Sequence, residues 1–465
     1  MNSGQALNPS ILREYDIRGI VGDTLTASDV EAIGKAFGTL VVEKTGSSPR
    51  IAVGYDGRLS SPDLSGALCN GLASAGAHVI IIGVGPTPML YFATYYLETV
   101  AGLMITGSHN PPEFNGIKMM LQGQSFFGDA IKDLGARVSG GRFRQEEGWI
   151  ETADVSDAYI EQLLDCLGNT TLDFKVAWDP GNGASGDIVR RLTAQLDGNH
   201  ILLNEEIDGT FPNHHPDPTV EDNLEQLKTV VRQKGCDLGI GLDGDGDRIG
   251  VIDSQGRVLW GDQLMVVWAR DVLLRHPGAT IIADVKTSQV FSDEVEKAGG
   301  TPLIWKTGHS LIKSKMSEMK APLAGEMSGH IFFADEYYGF DDAVYAALRL
   351  LRVLAAAGQS IDTIKDQLPV MHNTPEMRFE CSDDKKFQIA EDVKQRLAQE
   401  KDVTIHTIDG VRVETDDGWW LLRASNTQPV LVARCESDTE GGLQRLKDGL
   451  ASQLRASGVA PPDFG

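Results

Sequence analysis

Short apolar runs alternate with polar turns along most of the chain, and this pattern predicts β-strands separated by helices. Residues 79–82, 176–178 and 281–283 are apolar without interruption, which is typical of strands covered by helices on both faces. Each run belongs to a predicted strand–helix–strand segment. The first segment has its strand, helix and strand at 50–56, 60–74 and 78–82. The second has them at 175–179, after 186 and at 200–203, and the third at 280–284, 288–297 and 302–305. Three spaced copies predict three related α/β domains with largely parallel sheets.

The last hundred residues have a different pattern, in which short strands lie between two helices. We expect strands at 376–380, 403–408, 410–414, 419–423 and 430–434, and helices at 384–399 and 439–456. Asp409-Gly410 and Asp417-Gly418 predict hairpin turns, and Pro369 with residues 371–375 predicts a linker. The predicted fold class is α/β, with three related mixed α/β sandwich domains at 1–153, 154–255 and 256–367 and an α+β domain at 368–465.

The chain of 465 residues carries a formal net charge of −24. This charge argues against binding to nucleic acid or to an anionic membrane surface, because both require basic patches. A site for a small anion is therefore expected to be a local basic island. The sequence contains no secretory signal and no apolar run long enough to span a membrane, so we expect a cytoplasmic protein. The scattered cysteines predict buried thiols rather than disulfides or a zinc site: Cys69, Cys166, Cys236, Cys381 and Cys435.

Ser108 lies in the run Thr-Gly-Ser-His-Asn-Pro-Pro at residues 106–112, directly after a predicted buried strand at 100–105. Pro111 and Pro112 stop a helix and stiffen the exit from the turn, because each ring fixes φ and removes an N–H donor. The pattern is typical of an ordinary turn, and it also suits a nucleophile that faces a cleft. The loop taken alone leaves both interpretations open.

Asp243, Asp245 and Asp247 alternate with glycines directly after a predicted strand. Three carboxylates so close together repel one another unless a cation lies between them, and the glycines allow them to converge. Oxygen-only ligands favour Mg²⁺ or Ca²⁺. The EF-hand pattern is excluded because Arg248 and Ser254 occupy its glycine and glutamate positions. We favour a metal site over the alternative, a hairpin with solvated charges.

Two further loops combine donors and acceptors in a way that suits a phosphorylated sugar. Residues 325–330 offer Glu326, Ser328 and His330 in one turn, and the carboxylate can accept hydrogen bonds from two neighbouring hydroxyls. Residues 423–427 join a guanidinium to hydroxyls, an amide and backbone N–H groups, which is typical of an anion site. For each loop the alternative is an ordinary polar turn.

Together with Tyr-Asp-Ile-Arg-Gly at residues 15–19, these loops closely resemble the α-D-phosphohexomutase superfamily, specifically the bacterial phosphomannomutase/phosphoglucomutase family. TGSHNPP, DGDGDR, GEMSGH and RASNT occur in order, so the resemblance covers nearly the whole chain. It implies four domains around a central cleft, with one loop from each. It also implies an isomerase that interconverts hexose 1-phosphates and hexose 6-phosphates of mannose or glucose through a phosphoserine and a 1,6-bisphosphosugar.

The resemblance further implies which residues act. Ser108, Asp243, Asp245 and Asp247 would bind one Mg²⁺ per chain, and Ser108 would carry the phosphate. The expected catalytic residues are Ser108, Lys118, His330, Arg18 and His109. The expected substrate-binding residues are Tyr15, Arg248, Lys286, His309, Glu326, Met327, Ser328, Gly329, His330, Arg423, Ala424, Ser425, Asn426 and Thr427. Glucose 1,6-bisphosphate is the expected activator and intermediate, and small phosphosugars are the expected partners of a monomer or weak homo-oligomer.

The nearest alternative is phosphoglucosamine mutase, another member of the same superfamily. That enzyme usually has Gln at the position of Met327 and Ala at the position of Gly107, so both residues favour the hexose enzyme. A phosphatase in which water intercepts the phosphoserine, and a carbohydrate- or cation-binding protein without turnover, are alternatives of other classes. Neither explains why a serine loop, a metal loop and a phosphate loop occur together.

Overall fold

Four β-sheets, each with its own helices, follow one another along the chain in the computed structural model of the protein, which describes residues 6–46, 48–382, 384–398, 400, 403–426 and 428–464. We call the units that carry these sheets domains I to IV. The boundaries predicted between them stay predictions.

Domain I contains a seven-stranded sheet. Its strands are β1 (Ile17–Ile20), β2 (Arg50–Tyr55), β3 (His78–Val84), β4 (Ala101–Ile105), β5 (Phe114–Leu121), β6 (Gln124–Ser125) and β7 (Trp149–Thr152). Its helices are a 3-10 turn at Pro9–Ile11, α1 (Ala27–Thr45), α2 (Ser61–Ser74), α3 (Thr87–Tyr96) and α4 (Asp129–Gly140). The strand order is β1-β5-β4-β2-β3-β7, and β6 pairs with β5.

Domain II contains a five-stranded sheet. Its strands are β8 (Lys175–Asp179), β9 (Asn199–Leu202), β10 (Leu238–Leu242), β11 (Ile249–Asp253) and β12 (Val258–Leu259). Its helices are α5 (Ser156–Asp165), α6 (Gly186–Thr193), a 3-10 turn at Glu221–Leu224 and α7 (Glu225–Lys234). The strand order is β12-β11-β10-β8-β9.

Domain III contains a four-stranded sheet. Its helices are α8 (Gly261–Arg275), α9 (Gln289–Lys297), α10 (His309–Met319), α11 (Ala343–Ala357) and α12 (Ile361–Gln367), and its strands are β13 (Thr280–Asp284), β14 (Thr301–Trp305), β15 (Leu323–Gly325) and β16 (Ile331–Phe333). The strand order is β14-β13-β15-β16. No single helix of the described residues is long and apolar enough to cross a membrane, and α11 and α12 reach that length and hydropathy only as a pair bent by 84°.

Domain IV contains a six-stranded sheet. Its strands are β17 (His372–Asn373), β18 (Met377–Glu380), β19 (Thr404–His406), β20 (Val411–Thr415), β21 (Gly418–Ala424) and β22 (Val430–Ser437), and its helices are α13 (Lys386–Leu397) and α14 (Glu440–Ala456). The strand order is β17-β22-β21-β20-β19, with β18 also paired to β22, and every pairing is antiparallel.

The first three sheets share a core of four strands. In each, a central strand pairs in parallel with two neighbours, and the second neighbour is followed by an antiparallel strand. The spatial orders are β3-β2-β4-β5, β9-β8-β10-β11 and β14-β13-β15-β16. The prediction of three related mixed α/β domains and a terminal α+β domain is therefore confirmed.

Domains I, II and III contribute to one continuous hydrophobic core, which contains Phe92 of α3, Trp178 of β8 and Phe333 of β16. Domain IV packs around a core of its own, which includes Trp420 and Leu450. The loops of the first three domains are therefore supported by one packed body, whereas the loop of domain IV is carried by a separately packed unit.

Two details of domain IV differ from the sequence prediction. Thr415 pairs with Gly418, so the turn residues are Asp416 and Asp417 rather than Asp417 and Gly418, and Gly418 opens β21 with φ of +123°. Part of the predicted linker forms the short strand β17, because its backbone pairs with the edge of β22. The predicted helix 384–399 is observed as α13, and residue 399 lies outside the described residues.

Candidate active site

Ser108 lies on the turn between β4 and β5, with a left-handed φ of +47°. Thr106 Oγ1 accepts a hydrogen bond from the Ser108 backbone N–H at 2.8 Å, which fixes the turn. Ser108 Oγ donates to Asp243 Oδ2 at 2.9 Å and lies 3.1 Å from His109 Nδ1. A Cβ on Gly244 would lie 2.4 Å from the Ser108 carbonyl oxygen, so only glycine allows the two loops to approach this closely.

Arg58 binds the backbone of the serine loop and was not identified from the sequence. Its buried guanidinium donates to the carbonyl oxygens of Ser108 at 2.8 Å and Phe114 at 2.9 Å. It also pairs with Asp56, which accepts the backbone N–H of Gly107 at 3.0 Å. Because Arg58 precedes the loop by fifty positions and belongs to no motif, only the fold reveals this contact.

The three aspartates lie on the turn between β10 and β11 and are fully buried. Asp243, Asp245 and Asp247 each present a carboxylate oxygen within 4.8 Å of the others. Lys118 of β5 donates to Asp245 Oδ2 at 2.7 Å and also to Asp247. The predicted convergence of the three carboxylates on one point is present, and a lysine ammonium from domain I lies against it.

The electrostatics of the aspartate turn favour a bound cation. Burial and the charges of Asp245 and Asp247 raise the pKa of Asp243 well above its usual value. Burial favours a neutral Lys118, but the charges of Asp245 and Asp247 outweigh it and raise the lysine pKa well above its usual value. Asp245 Oδ1 and Asp247 Oδ1 are buried and accept no hydrogen bond from the described residues. A hard divalent cation fits this set of oxygen donors.

Glu326 lies on the turn between β15 and β16, at the position that corresponds to the serine and aspartate turns of the other sheets. Its Oε1 accepts the backbone N–H of Gly308, and its Oε2 accepts Ser328 Oγ–H at 3.1 Å. Burial raises the pKa of Glu326. The Met327 backbone N–H donates to Asp284 Oδ1 at 3.0 Å, which ties this turn to the end of β13.

Two histidines face each other beside this turn, with His309 and His330 ring centroids 5.4 Å apart. Arg248 Nε donates to His330 Nε2 at 3.0 Å, so a neutral His330 carries its proton on Nδ1, which lies 3.0 Å from Asp341 Oδ2. Lys313 donates to the other oxygen of Asp341 at 2.9 Å. Burial and the charge of Lys313 lower the pKa of His309 well below its usual value. Asp341 and Lys313 were not identified from the sequence.

The Arg423 loop leaves β21 and meets domains I and III at Tyr15, and Asp409 beside it accepts the backbone N–H of Thr307 at 3.1 Å. Tyr15 OH donates to the Thr307 carbonyl at 2.7 Å and accepts Asn426 Nδ2–H at 2.6 Å. Arg423 Nε donates to Asp409 Oδ2 at 3.0 Å. The remaining N–H groups of the Arg423 guanidinium are the donors that this loop offers to an anion.

All four turns line one cleft between the domains. The predicted residues that line it are Tyr15, Arg18, Ser108, His109, Lys118, Arg248, Lys286, His309, Glu326, Ser328, His330, Arg423, Ser425 and Asn426. The three aspartates reach this cleft through their contacts with Ser108 and Lys118.

Four family descriptions match the chain in the same order as its sheets. Residues 9–145, 157–256 and 260–371 match alpha/beta/alpha domains I, II and III of phosphoglucomutase/phosphomannomutase, and residues 376–453 match its C-terminal domain. The chain belongs to the phosphoglucomutase/phosphomannomutase family. The resemblance inferred from the sequence motifs is therefore confirmed.

Proteins that carry this family's names are similar to the chain over nearly its whole length. The phosphomannomutase/phosphoglucomutase of Pseudomonas aeruginosa is 44% identical over 450 residues, which cover 97% of this chain and 96% of that protein. The phosphoglucomutase of Neisseria gonorrhoeae is 40% identical over 457 residues, which cover 97% and 98%. The crystal structure of a phosphoglucomutase/phosphomannomutase family protein from Burkholderia thailandensis is 39% identical, with a TM-score of 0.90 and 99% of each chain covered.

Not every residue suggested by the family resemblance points into the cleft. Ala424 packs in the hydrophobic core of domain IV. Met327 Sδ accepts a hydrogen bond from Arg434 Nη1, and the two atoms are 2.7 Å apart. Gly329 has no side chain and shapes the turn with φ of +88°. Side-chain contact with substrate is therefore not available to Ala424 and Gly329, and the Met327 side chain faces domain IV. Thr427 lies outside the described residues.

The cleft lined by the four turns is a basic island in an acidic protein, as expected for an anion site. Its lining includes seven cationic side chains and three carboxylates: Arg13, Arg18, Lys118, Arg248, Lys286, Arg378 and Arg423, and Asp16, Glu326 and Glu376. Arg13, Arg378 and Glu376 were missed because each stands outside a recognisable loop. Arg13 lies beside the Tyr15 motif, Glu376 directly precedes β18 and Arg378 lies on it, and these positions were the only signals in the sequence.

Proposed function

We propose that this chain is a phosphohexomutase that interconverts the 1-phosphates and 6-phosphates of glucose and mannose. The observation that carries this proposal is the contact between the Ser108 hydroxyl and the buried aspartates, made within a cationic cleft that also contains the Glu326 and Arg423 turns. The names of the bacterial relatives at 40–44% identity support the same activity.

Ser108 is proposed to carry the phosphoryl group that is transferred. Its hydroxyl lies at the cleft surface of a turn fixed by Arg58 and Thr106, so the position of Oγ is defined before substrate arrives. Preorganisation of this kind is the main contribution a protein makes to phosphoryl transfer, because the transition state requires in-line geometry and charge stabilisation.

Mg²⁺ is the proposed metal, and Asp243, Asp245, Asp247 and Ser108 are the residues that would hold it. The two carboxylate oxygens without hydrogen-bond partners among the described residues, and the absence of nitrogen or sulfur from this donor set, fit a hard cation. When bound, such an ion offsets negative charge on the phosphoryl group.

The substrate is proposed to lie between the Glu326 and Arg423 turns. Arg423, Ser425 and Asn426 would bind the phosphate that is not being transferred, because the guanidinium and amide supply several N–H donors. Glu326 and Ser328 would bind neighbouring sugar hydroxyls. Recognition through O3 and O4 suits a sugar that binds in two orientations. In this arrangement neither side chain distinguishes the C2 configuration, which is the difference between glucose and mannose.

The proposed reaction consists of two phosphoryl transfers with opposite directions. In the first, the bond between Ser108 Oγ and phosphorus breaks and Ser108 Oγ takes up a proton, while the free hydroxyl of the hexose phosphate forms a new O–P bond and loses its proton. The product is a hexose 1,6-bisphosphate. After it turns over in the cleft, Ser108 Oγ loses its proton and accepts the other phosphoryl group, and the released sugar oxygen takes up a proton. Glucose 1,6-bisphosphate is therefore the proposed activator of unphosphorylated enzyme.

Lys118 is the proposed group that exchanges these protons, with His330 in support. Both line the cleft, and Lys118 contacts two of the aspartates directly. Arg18 donates to the Gly107 carbonyl oxygen at 2.9 Å, and its guanidinium offers several N–H donors, so it suits phosphate binding better than proton transfer. His109 lies beside Ser108 Oγ and is proposed to orient it.

The phosphoserine proposal is tested by the intact mass of the purified enzyme before and after incubation with glucose 1,6-bisphosphate. We expect a species heavier by one phosphate, which disappears together with mutase activity in Ser108→Ala. A matched control is Ser10→Ala, at an exposed serine outside the cleft. Active enzyme that never shows the heavier species contradicts the carrier role.

Sugar specificity is tested by assaying glucose 1-phosphate, mannose 1-phosphate and glucosamine 6-phosphate side by side. We expect the two hexose phosphates to have similar kcat/KM values and the amino sugar to be poor. A preference for glucosamine 6-phosphate would instead assign the chain to phosphoglucosamine mutase. Phosphate release that exceeds isomerisation would indicate a phosphatase.

A further inference from the structure

A second cavity lies between domain I and domain III, apart from the active-site cleft. Its volume is about 480 Å³, compared with about 160 Å³ for the cleft, and the two share no lining residue. Its walls come from α3, the β5–β6 hairpin, α10 with the loop that follows it, and the loop at 334–340. Sites for small molecules typically have volumes of about 300–1,000 Å³, so this cavity is large enough to bind one.

One side of the second cavity is aromatic. Tyr95 of α3 and Tyr338 stack with their ring centroids 4.6 Å apart, and Tyr338 continues into Phe340 at 5.7 Å with nearly parallel rings. Tyr95 and Tyr338 remain 41% and 36% exposed. Flat apolar faces from two domains therefore border an open cavity, and a planar ring can pack against them.

In the part of the chain that the structure describes, the lining of the second cavity lacks the acidic side chains that dominate the protein as a whole. Acidic side chains outnumber basic ones by 66 to 42 in the chain, yet the described residues that line this cavity include two lysines and a histidine and no carboxylate. Lys313 and His276 are paired with Asp341 and Asp335. Lys320 forms no ion pair with any described residue, so its ammonium is available to an anion.

From this cavity we infer a binding site for a small molecule that joins one planar aromatic ring system to a single anionic group. The ring packs against Tyr338 and its neighbours, and the anion lies at Lys320, the residue that follows α10. The inference is independent of the phosphosugar chemistry in the cleft.

The probe for this site is 8-anilinonaphthalene-1-sulfonate, an aromatic sulfonate whose fluorescence rises in apolar surroundings. It is titrated into the full-length enzyme in the presence of saturating glucose 1-phosphate, which occupies the cleft. N-phenyl-1-naphthylamine has the same rings without the anion and serves as the matched neutral probe. We expect the sulfonate to bind at one site and about tenfold more tightly than the neutral probe, because only the sulfonate makes a charge-assisted contact; a tenfold ratio corresponds to about 1.4 kcal/mol.

Two variants locate the probe. Lys320 has a left-handed φ of +51°, where glycine is the favoured residue, so Lys320→Gly removes the ammonium without straining the backbone. Tyr338→Ala removes the central ring. Lys313→Met is avoided because Asp341, its partner, contacts His330 of the active site. The matched controls are Tyr96→Ala, a 57% exposed tyrosine on the same helix as Tyr95, and Lys132→Ala on the exposed face of α4.

We expect the Kd of the sulfonate to rise about tenfold in Lys320→Gly and in Tyr338→Ala, and to stay unchanged in both controls. Mutase activity of all four variants should equal that of the wild type. The inference is overturned if glucose 1-phosphate displaces the probe, if neither cavity variant changes its Kd, or if the neutral probe binds equally well.

Discussion

Ser108 combines a strained backbone angle with a hydroxyl that contacts the buried aspartates. A non-glycine residue with φ of +47° carries a cost of roughly 1–3 kcal/mol. Glycine would fit this backbone more easily, and Arg58 and Thr106 offset the cost by bonding the turn on both sides. The strained position therefore fits a serine that is kept for its hydroxyl.

Substitutions of Lys118 can distinguish a role in proton transfer to the substrate from a role in pairing with the aspartates. Lys118→Met removes both the charge and the proton, whereas Lys118→Arg keeps the charge but does not titrate. If Lys118 exchanges protons with the substrate, both variants should lose kcat by roughly 10²–10⁴-fold and show an altered pH–rate profile. The measurement is steady-state kinetics across pH, with Lys132→Met as an exposed control.

A Lys118→Arg enzyme with nearly wild-type kcat would contradict this role. It would leave Lys118 as the partner of Asp245 and Asp247. Magnesium dependence measured in the same variants provides a second readout, since removal of the ammonium leaves more of the aspartate charge to the metal.

At the scale of elements, the three α/β domains place their chemistry at the same point. The serine, aspartate and glutamate turns each connect the last parallel strand of the four-strand core to its antiparallel neighbour, at β4–β5, β10–β11 and β15–β16. The parallel strands of an open sheet end at the edge where ligands bind. The strand order therefore explains why these three turns, distant in sequence, meet in one cleft.

Asp342, the N-cap of α11, should make the stability of the protein depend on pH. Burial, partly offset by hydrogen bonds that include those from Tyr159 and Tyr337, raises its pKa to about 6. Between about pH 4 and pH 6 the folded protein keeps a proton that the unfolded chain has released, so the free energy of unfolding falls as pH rises. This decrease is about 2 kcal/mol between pH 4 and pH 6, and about 3 kcal/mol from pH 3 to pH 7.

Asp342→Asn has no proton to lose there. The free energy of unfolding of the variant minus that of the wild type should therefore rise by about 2 kcal/mol from pH 4 to pH 6 and by about 3 kcal/mol from pH 3 to pH 7, and stay level above pH 7. Denaturant titrations at several pH values measure this difference. Parallel curves for the two proteins would contradict the raised pKa.

Local patterns predicted most elements, because apolar runs of the parallel strands and the glycine-rich turns are signals contained within a few residues. They misplaced the Asp416–Asp417 turn by one residue. Gly418 resembles a turn residue in the sequence, but in the structure it is the first residue of β21 and has a positive φ. Arg58 and Asp341 were missed for a different reason. Each acts on a loop far away in sequence, and a buried ion pair has no local signature.

At the scale of the whole molecule, domain IV is joined to domain III by arginines. Arg412 donates to the carbonyl oxygens of Val285 and Thr287, both at 2.9 Å, and lies 3.8 Å from the Trp419 ring centre. Arg434 donates to the carbonyl oxygen of Lys286 between them. These contacts set the position of the Arg423 turn relative to the cleft. The hydrophobic core of domain IV cannot do so by itself, because that core lies within domain IV.

Arg412→Met should therefore weaken substrate binding more than chemistry. We expect KM to rise about tenfold with a smaller change in kcat, because the anchor for the non-transferred phosphate is no longer held in place. Intact mass should still show phosphorylated Ser108. Arg445→Met, which breaks an exposed pair with Asp417 in the same domain, should leave both constants unchanged. An unchanged KM in Arg412→Met would contradict the positioning role.

The repeated strand order has a chemical consequence. The same four-strand unit occurs three times along the chain with a polar turn at one fixed place, so it supplies three equivalent turns to a shared opening. One of these turns carries a hydroxyl, one a carboxylate cluster and one a carboxylate beside an imidazole. A single structural arrangement thus supports three chemically different groups, and the side chains on each turn can change without any change in how the turns meet.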